Sequence, residues 1–590
     1  MKRSAKSQRV CWWFLPKLTR YSLTLLLSAV MLADAVGATP KNRGWQIAQQ
    51  PATTQQNATR AAAKRVFQEG MQLQKQGTGE SLRQAIGKWQ EALKLWQQVD
   101  DKRWEALTLL GIGYVYNSLG EKQEALKYFN QALPILRAVE ERGGEATTLL
   151  GIGLVYDSLG KKQEALKYFN QALPIYRAVE DKQGEVAITL VRIGLVYSDL
   201  GEKQEALKYY NQALPIYRAV EDKRGEAFTL NNIGLVYSDL GEKQEVLKYL
   251  NQALPIRRAV EDKQGEAVTL NNIGLVYSDL GEKQEALKYY NQALPIYRAV
   301  EDKRGEAGTF NNIGSVYSDL GEKQEALKYL NQALPILRAV RDRGAEATTL
   351  NNIGSVYSDL GEKQEALKYY NQALPIFRAV EDKQREAGTL KNIGLVYSHL
   401  GEKQEALKYL NQALPILRAV GDRRIEATTL TGIGSVYFLL GEKQEALKYF
   451  NQALPIHRAV EDKGEEAITL FNMALLERDR SNLQQAQTHI QAAIEIIEDL
   501  RTKIANKELR ASYFASVQGY YKFYTDLLMQ LHKKDPSKGY DGLALEVSDR
   551  SRARGLIELL TEANIDIRKA PILGRLLPCW VSGGELIRNS

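Results

Sequence analysis

The segment GEKQEALKYYNQALPIYRAVEDKRGEA occupies Gly201 to Ala227 and returns letter for letter at Gly281 to Ala307. Diverged copies surround these two. Their turn glycines stand at Gly120, Gly160, Gly201, Gly241, Gly281, Gly321, Gly361, Gly401 and Gly441, a period of 40 broken only by one extra residue near Val186. Units this alike cannot share one common core. Each must pack on the next, so the chain grows in one dimension, and a domain count taken from its 590 residues gives way to the period.

Within one unit, Leu230, Ile233, Gly234 and Tyr237 fall on one helical face, which predicts an amphipathic helix A ending at Gly241, the residue best able to turn left-handed. Leu247, Leu250, Ala253, Leu254 and Ile256 predict a helix B, with Glu242 favouring its positive end. Pro134, Pro174, Pro215, Pro255 and their successors fall inside helix B, where a missing donor and a steric clash predict a kinked and lengthened helix. The fold class expected is all-α: a right-handed α-solenoid superhelix of about eleven antiparallel hairpins, followed by a short helical segment. Nine regular repeats run from about 104 to 463. Val66 to Val99 and the stretch from Leu470 to Ala493, where Glu477 replaces a tyrosine, are diverged repeats that cap the array across 60–500.

The net charge of +8 is concentrated at the start, where Lys2, Arg3, Lys6, Arg9, Lys17 and Arg20 stand against Asp34 alone. Acids and bases are interspersed over the rest, which leaves no stripe for tracking phosphates and argues against nucleic acid. The basic opening, the apolar run from Tyr21 to Ala33 and the small residues Ala35, Gly37 and Ala38 predict a signal peptide over 1–38. The product is then periplasmic or extracellular. The alternative is an uncleaved anchor, the only membrane contact expected, although the run is short for a span of about 20 residues. A flexible linker follows over 39–59, rich in Gln, Thr and Pro. Cleavage leaves Cys579 as the single cysteine and no internal disulfide.

Gly234, Tyr237, Gly241, Ala206, Tyr210 and Ala213, with their equivalents, resemble the tetratricopeptide repeat. The 40-residue unit, with Thr229 to Ile233 reading TLNNI, is similar to the repeats of kinesin light chains. The resemblance implies close helix contact at Gly234 with Tyr237 filling the space beside it, and a concave surface lined by helix A that takes extended peptides. Asn231 and Asn232, Asn271 and Asn272, Asn311 and Asn312, and Asn351 and Asn352 recur there, with Asn392 continuing the second column. An amide both donates and accepts, which suits a peptide backbone. The same amides could instead cap or bridge neighbouring hairpins, and adjacent asparagines cannot face one way, so at least one column serves another purpose. Asp239, Asp279, Asp319 and Asp359 predict a mildly acidic margin, with His399 replacing the next aspartate.

No cofactor is expected. His399 lacks companions for a metal, and His457, His489 and His532 are scattered. The Gly-x-Gly pairs at Gly111 and Gly113, Gly151 and Gly153, and Gly432 and Gly434 follow no strand and read as helix. Residues 501–568 read as helices with an aromatic core of Tyr513, Phe514, Tyr520, Tyr521, Phe523 and Tyr524, and Ser548 to Leu560 resembles the helical opening of a CHAT domain, the caspase-like domain of bacterial repeat proteins. The tail, 569–590, does not continue that pattern, which suggests truncation or a frameshift. Cys579 has no visible base, and no catalytic residue is expected. The function expected is a protein-interaction scaffold for protein or extended peptide partners, without a small-molecule cofactor. The alternative is a truncated, inactive remnant of a CHAT peptidase.

Overall fold

The computed structural model describes residues 54–179, 182–502 and 507–562. The expected signal, its cleavage region, Cys11, most of the linker, and the tail with Cys579 lie outside the described residues. Contacts cluster into two units, Met1–Glu322 and Lys323–Ser590.

The first unit holds α1 (Thr54–Gln76), α2 (Gly79–Gln98), α3 (Lys102–Leu119), α4 (Lys122–Ala138), α5 (Arg142–Ser158), α6 (Lys162–Ala178), α7 (Gln183–Leu200), α8 (Lys203–Ala219), α9 (Lys223–Leu240), α10 (Lys243–Ala259), α11 (Lys263–Asp279), α12 (Lys283–Ala299) and α13 (Lys303–Asp319). The second holds α14 (Lys323–Ala339), α15 (Arg343–Asp359), α16 (Lys363–Ala379), α17 (Lys383–His399), α18 (Lys403–Val420), α19 (Arg423–Leu440), α20 (Lys443–Ala459), α21 (Lys463–Asp479), α22 (Leu483–Thr502), α23 (Lys507–Lys534) and α24 (Tyr540–Glu562). Odd-numbered helices up to α21 are the A helices and even-numbered ones up to α22 the B helices. The described residues form no strand, and the fold is an all-α solenoid of stacked hairpins. Helix α1 begins at Thr54, so Thr54 to Thr59, expected as linker, are helical.

Helix A ends at Gly241 with φ 81°. The next one opens with Asp262, whose side chain accepts from the Gly265 amide at 3.0 Å. The turn from B back to A passes through Glu221, Glu261 and Glu301 at φ 55°, 52° and 55°, a left-handed conformation that costs a residue with a Cβ about 1–2 kcal/mol. In one repeat Gly421 takes that place at φ 73°. Beside most of these turns a nearly enclosed glutamate gathers two cations: Arg218 Nε and Lys223 Nζ donate to Glu226 at 2.7 and 3.0 Å. Burial alone would raise the Glu226 carboxyl, but the hydrogen bonds from Arg218 and Lys223 outweigh it and hold it below the usual glutamate value.

Close approach between helices A and B follows the small residues, with one correction. The side chain seated on the helix-A glycine comes from helix B: a Cβ on Gly194 would stand 2.6 Å from the Tyr210 ring. Tyr237 instead lies half-exposed at the surface, stacked on Tyr249 with ring centroids 5.5 Å apart, a pairing repeated from Tyr116 and Tyr128 to Tyr437 and Tyr449. The Gly-x-Gly pairs have packing reasons of the same kind, since a Cβ on Gly113 would stand 2.6 Å from the Phe129 ring. The helices run through their prolines: α8 carries Pro215 and spans 17 residues, whereas its A neighbour α9 spans 18, so the expected lengthening does not occur.

Helices α1 and α2 close the first unit's start, where Phe67 packs on Trp89 and on Trp104 of α3. At the far end Glu477, 3 % exposed, accepts from Arg480 and Asn482 at 2.7 and 2.6 Å where other repeats carry a tyrosine. Tyr521, Phe523 and Tyr524 are buried as expected, with Tyr513 and Tyr520 partly so. The Phe514 side chain lies outside the described ones. Among the described residues no helix is long and apolar enough to cross a membrane.

Candidate ligand-facing surface of the A helices

The asparagine columns lie where neighbouring A helices meet. Asn272 donates to Asn231 Oδ1 at 3.3 Å, Asn312 to Asn271 Oδ1 at 3.2 Å, and Asn392 to Asn351 Oδ1 at 3.4 Å. The first column therefore accepts what the second column of the next repeat donates. Thr309 and Thr389 add hydroxyl donors to Asn271 and Asn351 at 3.4 and 3.2 Å. Asn232, the first member of its column, has no asparagine before it because Val191 stands there, and it donates to the Phe228 carbonyl of its own helix at 2.8 Å. Asn231 and Asn232 are each 3 % exposed; Asn271, Asn272, Asn311, Asn312, Asn351, Asn352 and Asn392 are half-buried. These bonds are those of bridged hairpins, the alternative that the amide pattern left open.

Arg192 stands at the head of the second column, in the place of its asparagines. It is 5 % exposed, and burial lowers its guanidinium to about 10 against the pull of Asp157. Around it Tyr114 donates to the Thr147 carbonyl and Tyr176 to Thr147 Oγ1, each at 2.9 Å, and burial raises both phenols. Sequence reasoning passed over Arg192; its signal was a charge in a column otherwise made of amides and glycines.

The margin expected to be acidic is neutralised. Asp239, Asp319 and Asp359 each pair with a lysine of the preceding B helix, Lys203, Lys283 and Lys323 respectively, and Lys162 spans Asp157 and Asp199 at 2.5 and 2.8 Å. The Asp279 carboxyl is raised by burial, and Lys243 bonds its backbone carbonyl. These ion pairs tie one hairpin to the next. His399 stands alone with its imidazole lowered by burial, and among the described residues no group of three or more His, Cys, Asp or Glu could hold a metal.

A line of side chains a turn before the columns stays partly open on the A helices. In the first unit Leu107, Thr147, Phe228 and Val268 are buried, Ile188 is half-buried and Gly308 is exposed. In the second it holds Thr348, Gly388, Thr428 and Ile468, all half-exposed or exposed. Gly388 lies mid-helix with nothing within 4 Å of the space its Cβ would fill.

A family model described as "Tetratricopeptide repeat" matches residues 78–138, 185–259, 256–299, 305–379, 345–419 and 385–459, and a second of the same description matches 146–178. No curated protein matches the chain. Among solved structures, the apo form of RapI aligns at 20 % identity over 47 % of this chain and 99 % of its own, with a TM-score of 0.40. The apo form of the quorum sensor NprR from B. thuringiensis aligns at 17 % identity over 57 % of this chain and 99 % of its own, with a TM-score of 0.45. The STAND protein PH0952 from Pyrococcus horikoshii aligns at 14 % identity over 71 % of this chain and 56 % of its own, with a TM-score of 0.40.

Proposed function

Because the chain belongs to the tetratricopeptide-repeat family, we propose that it is an interaction scaffold, taking an extended segment of a protein or peptide partner along its A helices. The observation that carries this reading is the open line of Thr348, Gly388, Thr428 and Ile468. A glycine inside a helix costs roughly 1 kcal/mol against alanine. At Gly388 neither packing nor a left-handed backbone requires one, and the bare backbone leaves room for a ligand to approach closely. In this reading the asparagines hold the A helices in register, and the open line meets the partner. Export directed by 1–38 belongs to the same proposal and places the scaffold outside the cytoplasm.

A random octapeptide pool mixed with the full chain and separated by size tests the reading. Retention of a reproducible subset supports it. Equal recovery of all sequences in the unbound fraction sinks it.

A further inference from the structure

The amide columns end at Lys391. Asn392 closes the last pair with Asn351, and position 391, where the next acceptor would stand, carries an ammonium. Position 432, where the next donor would stand, is Gly432, and a Cβ there would meet Leu395 at 3.1 Å. The two departures match, since a donor at 432 would find nothing to bond. The Lys391 ammonium makes no hydrogen bond or ion pair among the described residues.

One repeat on, Thr431 occupies the equivalent place and turns inward, to Thr469 at 2.9 Å and His457 at 3.3 Å. Two repeats on, Phe471 stacks against Tyr520 at 4.2 Å, which brings α23 onto the A-helix face. Glu465 on α21 lies within electrostatic reach of Lys391, Arg424 and Tyr520. Arg424 is tied to Asp462 at 2.6 Å, and Asp422 accepts from Gln384 at 2.7 Å. The Glu465 carboxylate has no such bond among the described residues. Two opposite charges thus stand within electrostatic reach of each other, neither bonded, with Gly388 open one turn before Lys391 and Ile468, 42 % exposed, one turn after Glu465. Burial disfavours both ions, lowering the lysine and raising the glutamate, so a ligand that pairs with each offsets a cost already present in the fold.

We propose that Lys391 and Glu465 form a two-ended site for a mixed-charge stretch of peptide, a ligand carboxylate meeting Lys391 and a ligand ammonium or guanidinium meeting Glu465, with aliphatic carbons on Ile468. A ligand of one sign would meet its own charge at one end, which selects against purely acidic or purely basic segments. The inference rests on the scaffold reading and names the segment it takes.

The octapeptide pool is passed over the full chain and over Lys391→Asn and Glu465→Ala. Each substitution copies another repeat, where Asn351 and Ala345 stand, so the fold is kept; equal melting curves check it. Sequencing should show the wild type enriching peptides with an acidic and a basic residue close together by about tenfold, the ratio that 1.4 kcal/mol produces. Lys391→Asn should lose the acidic preference alone and Glu465→Ala the basic one alone. Retention with no charge preference, or variants that keep the wild-type preference or lose both together, overturns the two-ended site and leaves the scaffold standing. No retention at all removes both.

Discussion

Asn272 donates its side-chain amide to Oδ1 of Asn231, 3.3 Å away and 41 residues earlier, so one hairpin answers the next through paired amides. Asn231 is 3 % exposed, and losing its donor leaves a buried acceptor unpaired. Asn272→Ala should cost about 0.5–1.5 kcal/mol in urea unfolding, and Asn231→Ala with Asn272→Ala less than the two single changes added. Strict additivity would contradict the bond.

Val246 is the one helix-B residue at its position that is not alanine, and it holds the helices apart. A Cβ on Gly234 would stand 3.6 Å from the Val246 carbonyl oxygen, against 3.2, 3.1 and 3.2 Å from Ala366, Ala406 and Ala446 at Gly354, Gly394 and Gly434. Leu250 retreats likewise, to 3.3 Å from that point, where Leu410 stands at 2.7 Å from its glycine. Val246→Ala should raise the thermal midpoint, with a gain of about 1 kcal/mol on the scale of core overpacking. A lower midpoint would show that the wider spacing is relaxed rather than forced.

The hairpins were legible because their signals are local and repeated: glycine stops, helical spacing of apolar residues, and small residues at close contacts. The partner of each glycine was not, since Tyr237 and Tyr210 are both aromatic and only packing shows that Tyr210 and its equivalents meet the glycine while Tyr237 stacks on Tyr249. The turn at Glu221, Glu261 and Glu301 was hidden for a different reason. Glutamate is no left-handed former, and Gly421 alone among the copies gives the conformation away. The candidate site was the least legible part. Adjacent asparagines reveal that two columns exist but not that one bonds the other a repeat away, and Lys391 and Glu465 come within electrostatic reach only after three A helices have stacked.

His457 is fully buried where other repeats carry Leu337 and Leu417. Burial lowers its imidazole, and Asp462 and Glu466 recover only part of the shift. The unfolded chain therefore binds a proton that the folded chain refuses, so stability falls as pH drops below the ordinary value of 6.5 and continues to fall until the folded value is reached. His457→Leu should reduce the loss of thermal midpoint between about pH 7 and pH 5.5, while His399 and His489, lowered in the same direction, leave a residue of it. An unchanged pH slope would place the imidazole in a solvated setting.

If the A-helix face of the second unit holds the partner segment, site-specific photo-cross-linking locates the segment there. The photoreactive residue p-benzoylphenylalanine replaces Thr348 or Thr428 on the A helices, or Gln332 or Gln372 on the exposed face of the B helices, in the full chain mixed with peptides recovered from the pool. Cross-linked peptide is expected at 348 and 428 and none above background at 332 and 372. Labelling at 332 and 372 with none at 348 and 428 would contradict that placement.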